Sequence, residues 1–184
     1  LYRKSDLIIS FKNDLMPTIS SMAECMTCNE IGRQFGFKFS LHLKVDTGMS
    51  RLGFEYKRFV QQFEKIKSLE NISIEGIYSQ LSSADEHDSL DHKSSAQLQK
   101  QKFNALLNRI NIDRNPNIKI HLATSAGMLL NEEFHFNMVR VVISMYGYNP
   151  LAKTDKNLSL KPALFLKVKV AFVRVIDKGI GVSY

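Results

Sequence analysis

Apolar positions along the chain follow two periods that take turns. DLIISF (Asp6–Phe11) is a short apolar run that reads as a strand. From Pro17 to Gly36 the pattern becomes helical, with Pro17 in the first turn and Gly36 as the stop. FKFSLHLKV (Phe37–Val45) alternates as a strand. Glu55–Leu69 then sets Phe59, Phe63, Ile66 and Leu69 at helical spacing. Ile72–Ser79 alternates again, a long helix is predicted over Ser94–Ile110, and Ile118–Ala123 reads as a strand followed by a short helix from Ser125. Met138–Gly147 reads as a further strand. After a polar loop, the stretch from Ala163 to Ile176 turns β-rich, with lysines between branched apolar residues.

Alternating strands and helices predict a parallel sheet with helices outside it. Five strands precede the change to β, whereas a closed (β/α)8 barrel needs eight strands and roughly 250 residues. The α/β reading is therefore a partial TIM-type barrel: its later part over residues 1–150, then a linker and the first strands of a β domain over residues 151–184. The chain opens on Leu1 rather than Met, as a piece of a longer protein would. No signal-like leader and no apolar run of membrane-spanning length is present, which predicts a soluble, cytoplasmic protein with no membrane partner. The net charge of +7 is spread rather than clustered. That argues against nucleic acid and suits small anionic ligands. Cys25 and Cys28 form a C-x-x-C inside the predicted helix, without the second pair a zinc site needs, and read as reduced thiols on one helix face. In DEHDSLDH, the metal reading of His87, Asp88, Asp91 and His92 competes with Asp91 acting as a charge or cap before the long helix, and the second is preferred.

LHLKVDTGMSRLGF (Leu41–Phe54) carries the candidate chemistry. Leu41, Leu43 and Val45 would face the helices, and His42, Lys44 and Asp46 the barrel interior near the strand end, where barrel enzymes place their sites. A buried lysine is costly unless paired or modified, and Asp46 and Arg51 are the neighbours available to it. Gly48 and Gly53 allow a tight turn. From the residues alone, an ion pair at the barrel rim and a ligand site stand equal.

KVDTGMSRLGF resembles the K-V-D-T-G-M-x-R-x-G signature of alanine racemases. The resemblance runs on through GIYSQLSSADE (Gly76–Glu86), HLATSAGML (His121–Leu129), MVRVVISMYGYNP (Met138–Pro150) and LKPALFLKVKVAFVRVIDKGIGVSY (Leu160–Tyr184). It implies a PLP-binding barrel with a C-terminal β domain, a homodimer, and interconversion of L- and D-alanine for cell-wall precursor supply. It implies that Lys44 is carbamylated and, as an anion, fixes the Arg51 guanidinium. Arg51 would hold the cofactor's phenolic oxygen and the substrate carboxylate. Ser125 and the backbone N–H of Ile143 would bind the cofactor phosphate; the plain alternative for Ser125 is a helix cap. Arg140 would face the pyridine nitrogen without giving up its proton, its alternative being a strand-end salt bridge. Tyr146 and Gly147 match a Tyr-Gly at the barrel exit.

The two bases that move protons in this family are a PLP-bearing lysine and a tyrosine, and neither has a match in residues 1–184. Arg3, Lys4 and Lys12 lack the lysine's context, and Tyr184 is not the tyrosine. Gln80 stands where the family has a histidine beside the cofactor, Val142 where it has a glycine, and Thr124 where it has an asparagine. The implied function is thus a segment of a PLP-dependent alanine racemase, inactive alone. The alternatives are a non-catalytic PLP-binding barrel and an inactive remnant of a racemase gene.

Overall fold

The computed structural model describes residues 2–86, 91, 93–112, 115–151 and 158–182. Its framework is α1 (Lys4–Lys12), β1 (Thr18–Ile19), α2 (Met22–Phe35), β2 (Phe39–Asp46), β3 (Phe54–Glu55), α3 (Tyr56–Lys67), β4 (Ile72–Tyr78), α4 (Ser95–Ile110), β5 (Lys119–Thr124), α5 (Ser125–Leu130) and β6 (Met138–Arg140). Every strand pairing is parallel, in the order β1-β2-β4-β5-β6, with the two-residue β3 on the end of β2. Sequential parallel strands with helices between them form the open barrel wall that the alternation predicts.

The helix-facing side of β2 is dry. Leu41, Leu43 and Val45 are fully buried, in one core with Cys25, Cys28 and Ile31 of α2 and Phe59, Phe63 and Ile66 of α3. Burying each such side chain is worth about 1.5–3 kcal/mol, which fixes which face of β2 turns to the helices. Both cysteines are free, and burial first, then neighbouring acidic groups, pushes their thiols up to about 12.

Two elements at the N-terminal end differ from expectation. Asp6–Phe11 lies within helix α1 rather than a strand. The Asp6 carboxylate accepts from the Arg3 backbone N–H at 3.0 Å and from the Arg3 guanidinium, a capping arrangement that starts a helix. Leu7, buried, and Ile8, half-buried, join the core. Pro17 does not open α2. Its carbonyl accepts from His42 N–H at 3.1 Å, and the next two residues pair with β2 as β1. The helix starts later because Ser21 caps it, accepting from Glu24 N–H at 3.3 Å. Gly36, left-handed at φ 73°, ends it as expected.

The C-terminal end differs too. β6 stops at Arg140, and residues 143–146 form a 3-10 turn in place of the second half of the expected strand. Residues 163–176 form no helix and make no ladder with any described residue, and their apolar side chains are exposed. Of the acidic–histidine loop, His87, Asp88 and His92 lie outside the described residues. Asp91 stands ahead of α4 and accepts from Lys93 N–H at 2.8 Å, while the cap itself is Ser94. Among the described residues no group of His, Cys, Asp or Glu is placed to hold a metal, and no helix is long and apolar enough to cross a membrane.

Candidate cofactor site at the strand ends

The inward faces of successive strands put polar side chains side by side. In register, Lys44 of β2 lies beside Tyr78 of β4, and Tyr78 beside His121 of β5. The Tyr78 ring stacks on His121 with centroids 4.5 Å apart, and the Arg140 guanidinium lies 4.7 Å from the Tyr78 ring centre. Arg140 is the hub. One nitrogen donates to His121 Nδ1. The other donates to Gln80 Oε1 at 2.9 Å and to the backbone carbonyls of Ser79 and Leu122 at 3.0 and 3.3 Å. Among the described residues no carboxylate pairs with it. His121 Nε2 meets His42 Nδ1 at 2.9 Å. His42 fits only because residue 76 is glycine: a Cβ there would lie 2.5 Å from the imidazole. Burial first, then the Arg140 charge and His42, lowers His121 to about 3. Burial also lowers His42, against the pull of Glu75.

Lys44 is 7% exposed. Burial depresses its ammonium, the Arg51 and Arg140 charges add to the effect, and Asp46 opposes it. Asp46 does not form the expected network. Its Oδ1 accepts instead from the Gly48 and Ser50 N–H groups at 2.9 and 3.1 Å, shaping the turn. Gly53 closes that turn at φ +134°, where a Cβ would come within 2.7 Å of the Asp46 nitrogen. Arg51 is exposed, and no hydrogen bond joins it to Lys44. Lys44 is thus a buried cation set among cations, the setting in which an added negative charge on its nitrogen would relieve the repulsion.

Beside the turn, a cavity of about 440 Å³ is lined by Arg51, Gln80, Thr124, Ser125, Val142 and Ile143, among others, within the range of small-molecule sites. Ser125, the first residue of α5, is buried, and its hydroxyl accepts from the backbone N–H groups of Val142 and Ser144 at 2.9 and 3.3 Å. These two amides turn the chain out of β6. Ser144 Oγ is buried there with no hydrogen-bond partner among the described residues. The two amides are spent on Ser125 Oγ, which leaves the Ser125 and Ser144 hydroxyl protons uncommitted among the described residues. That is the chemistry a phosphate group takes. Val142 is 57% exposed and is itself part of the cavity lining.

The structure therefore gathers Arg51, Gln80, Ser125 and Ile143 around one cavity and joins Arg140 to it through Gln80. The sequence reading placed His42 inward but missed Tyr78 and His121, and the amides of Val142 and Ser144. The inward parity read for β2, applied to β4 and β5 as well, marks the first two.

The chain matches the family model described as alanine racemase, N-terminal domain, over residues 2–150. It is 40% identical to an alanine racemase of Prochlorococcus marinus over 184 residues, covering 100% of this chain and 47% of that protein. It is 34% identical to an alanine racemase of Halothermothrix orenii, covering 95% of this chain and 45% of that protein. Among solved structures, alanine racemase from Clostridium difficile superposes with a TM-score of 0.79 at 27% identity, covering 88% of this chain and 42% of that one. The enzyme from Bartonella henselae, solved with covalently bound pyridoxal phosphate, gives 0.72 at 26% identity, covering 88% and 44%. The chain spans about half the length of the curated relatives it matches.

Proposed function

We propose, on the premise that this chain belongs to the alanine racemase family, that it forms the cofactor-holding part of an enzyme that interconverts L- and D-alanine using pyridoxal 5'-phosphate. The observation that carries the reading is the donor corner of Ser125, Val142 and Ser144 beside the Arg140 hub. Bound there, pyridoxal phosphate supplies an electron-withdrawing ring that stabilises negative charge at the substrate's α-carbon. Ser125 and the backbone N–H of Ile143 would hold the phosphate. Arg140 would face the ring nitrogen, and because a guanidinium keeps its protons it would donate a hydrogen bond without transferring one. That tempers the ring's pull and favours a simple exchange of the α-proton. Gln80 holds Arg140 from the cofactor side. Arg51 binds the substrate carboxylate, and carbamylation of Lys44 would supply the anion that Arg51 and Lys44 lack. Residues 151–184 begin a separate β domain, and the whole protein works in the cytoplasm as a homodimer supplying D-alanine for cell-wall precursors. Both proton-moving bases come from chain other than residues 1–184, so these residues alone catalyse nothing.

The test uses the full reading frame that carries this chain. The purified protein should bind pyridoxal phosphate and form D-alanine from L-alanine, and Ser125→Ala should weaken cofactor binding about tenfold. A folded full-length protein with no cofactor affinity would sink the reading. Cofactor binding without turnover would favour the non-catalytic barrel.

A further inference from the structure

Behind the site, one buried side chain of α4 is bonded to both loops that face the cavity. Gln99 is 2% exposed. Its Nε2 donates to the Gln80 carbonyl at 2.9 Å and to Thr47 Oγ1 at 3.4 Å. Its Oε1 accepts from Ser82 N–H at 2.9 Å and from Ser82 Oγ at 3.0 Å. A carboxamide offers two donors and two acceptor positions, and all four are used. A backbone carbonyl on one side and a backbone N–H on the other leave it one orientation. Its stem packs against Gly48, where an added Cβ would lie 3.3 Å from Gln99 Cγ. Thr47 in turn bonds Ser79 at 2.8 Å. Ser79 and Gln80 are two of the three residues whose oxygens receive Arg140, Leu122 being the third.

We propose that Gln99 is a positioning residue for the cofactor site: it locks the Thr47–Gly48 turn, which leads to Arg51, to the Ser79–Ser82 segment, which orients Arg140. This rests on the reading of the site given above. Gln99 bonds neither the Arg51 nor the Arg140 guanidinium, so its effect passes through Gln80 and Thr47. Apart from the direct Thr47–Ser79 bond, no other described side chain bonds both loops.

Gln99→Glu separates positioning from mere packing. The carboxylate keeps the bonds from Ser82 but turns an oxygen lone pair on the Gln80 carbonyl. Protonated, the same group donates O–H to that carbonyl and restores the link. Burial raises a carboxyl's pKa, so the link is broken at high pH and restored as pH falls.

In the full-length protein, the ratio of pyridoxal phosphate dissociation constants, variant over wild type, should be about tenfold at about pH 8 and fall to within about threefold near pH 5.5. Far-UV circular dichroism of the cofactor-free forms should stay the same at both pH values. A ratio near one throughout, or one independent of pH, overturns the proposal. If Gln99→Glu does not fold, Gln99→Met keeps the stem on Gly48 and loses all four bonds. It should bind the cofactor at least about tenfold more weakly, and binding within twofold overturns the proposal. Failure of both variants to fold would assign Gln99 to folding alone and also overturn it. Wild-type protein that binds no cofactor would instead bring down the reading of the site itself.

Discussion

A guanidinium only donates, so the bond from Arg140 to His121 Nδ1 runs in one direction. His121 Nδ1 is then the acceptor, its proton sits on Nε2, and that proton is given to His42 Nδ1. Each imidazole is set by its neighbour. His121 falls from the ordinary 6.5 to about 3. Between those values the unfolded chain takes up a proton that the folded chain refuses. This contribution to stability is therefore complete above about pH 6.5 and is lost as pH falls toward 3. Long-range 1H–15N spectra of the full-length protein should show His121 neutral, with Nε2 protonated, down to pH 5. A protonation midpoint at or above the ordinary value would refute the arrangement. Arg140 was legible in the sequence through MVRVVISMYG. His121 was not, because a histidine within an alternating strand gains its meaning only from neighbouring strands that sequence does not place.

Among elements, β3 is two residues long and exists because Gly53 lets the chain return against Asp46. Gly53→Ala combines a left-handed φ with a Cβ 2.7 Å from a backbone nitrogen. It should cost about 1–3 kcal/mol and loosen the turn before Phe54. Urea unfolding of the full-length protein measures it, and a loss under about 0.5 kcal/mol would show that the turn relaxes freely. Long periodic elements were readable in advance: α4 begins one residue from its expected start, and β2 holds its expected faces. Short ones were not. A brief apolar run such as Leu7–Ile9 fits strand and helix alike, and the Arg3–Asp6 cap decides it. The Met138–Gly147 run has strand composition throughout, yet its second half turns because two of its amides go to Ser125 rather than to a neighbouring strand. The β-rich stretch after Ala163 carries a strand's alternation, but a ladder needs a partner and none of the described residues provides one.

For the whole molecule, the sheet grows in chain order, each strand of the main path beside the one laid down before it. The site spans the later strands: Arg51 follows β2, Gln80 follows β4, Ser125 follows β5 and Arg140 ends β6. The part of the core around α2 forms sooner, since α2 rests on β2 and β4. The two buried thiols of α2 thus become a clock for synthesis. With their protons held so firmly, Cys25 and Cys28 should resist an alkylating probe once β4 has docked and react quickly before then. Ribosomes stalled at successive lengths would read the time directly. Chains with residues through 90 clear of the exit tunnel should label slowly, and chains ending near residue 70 fast. Labelling that stays fast until β6 has emerged would mean that the wall assembles all at once, leaving the growing chain unprotected for most of its synthesis.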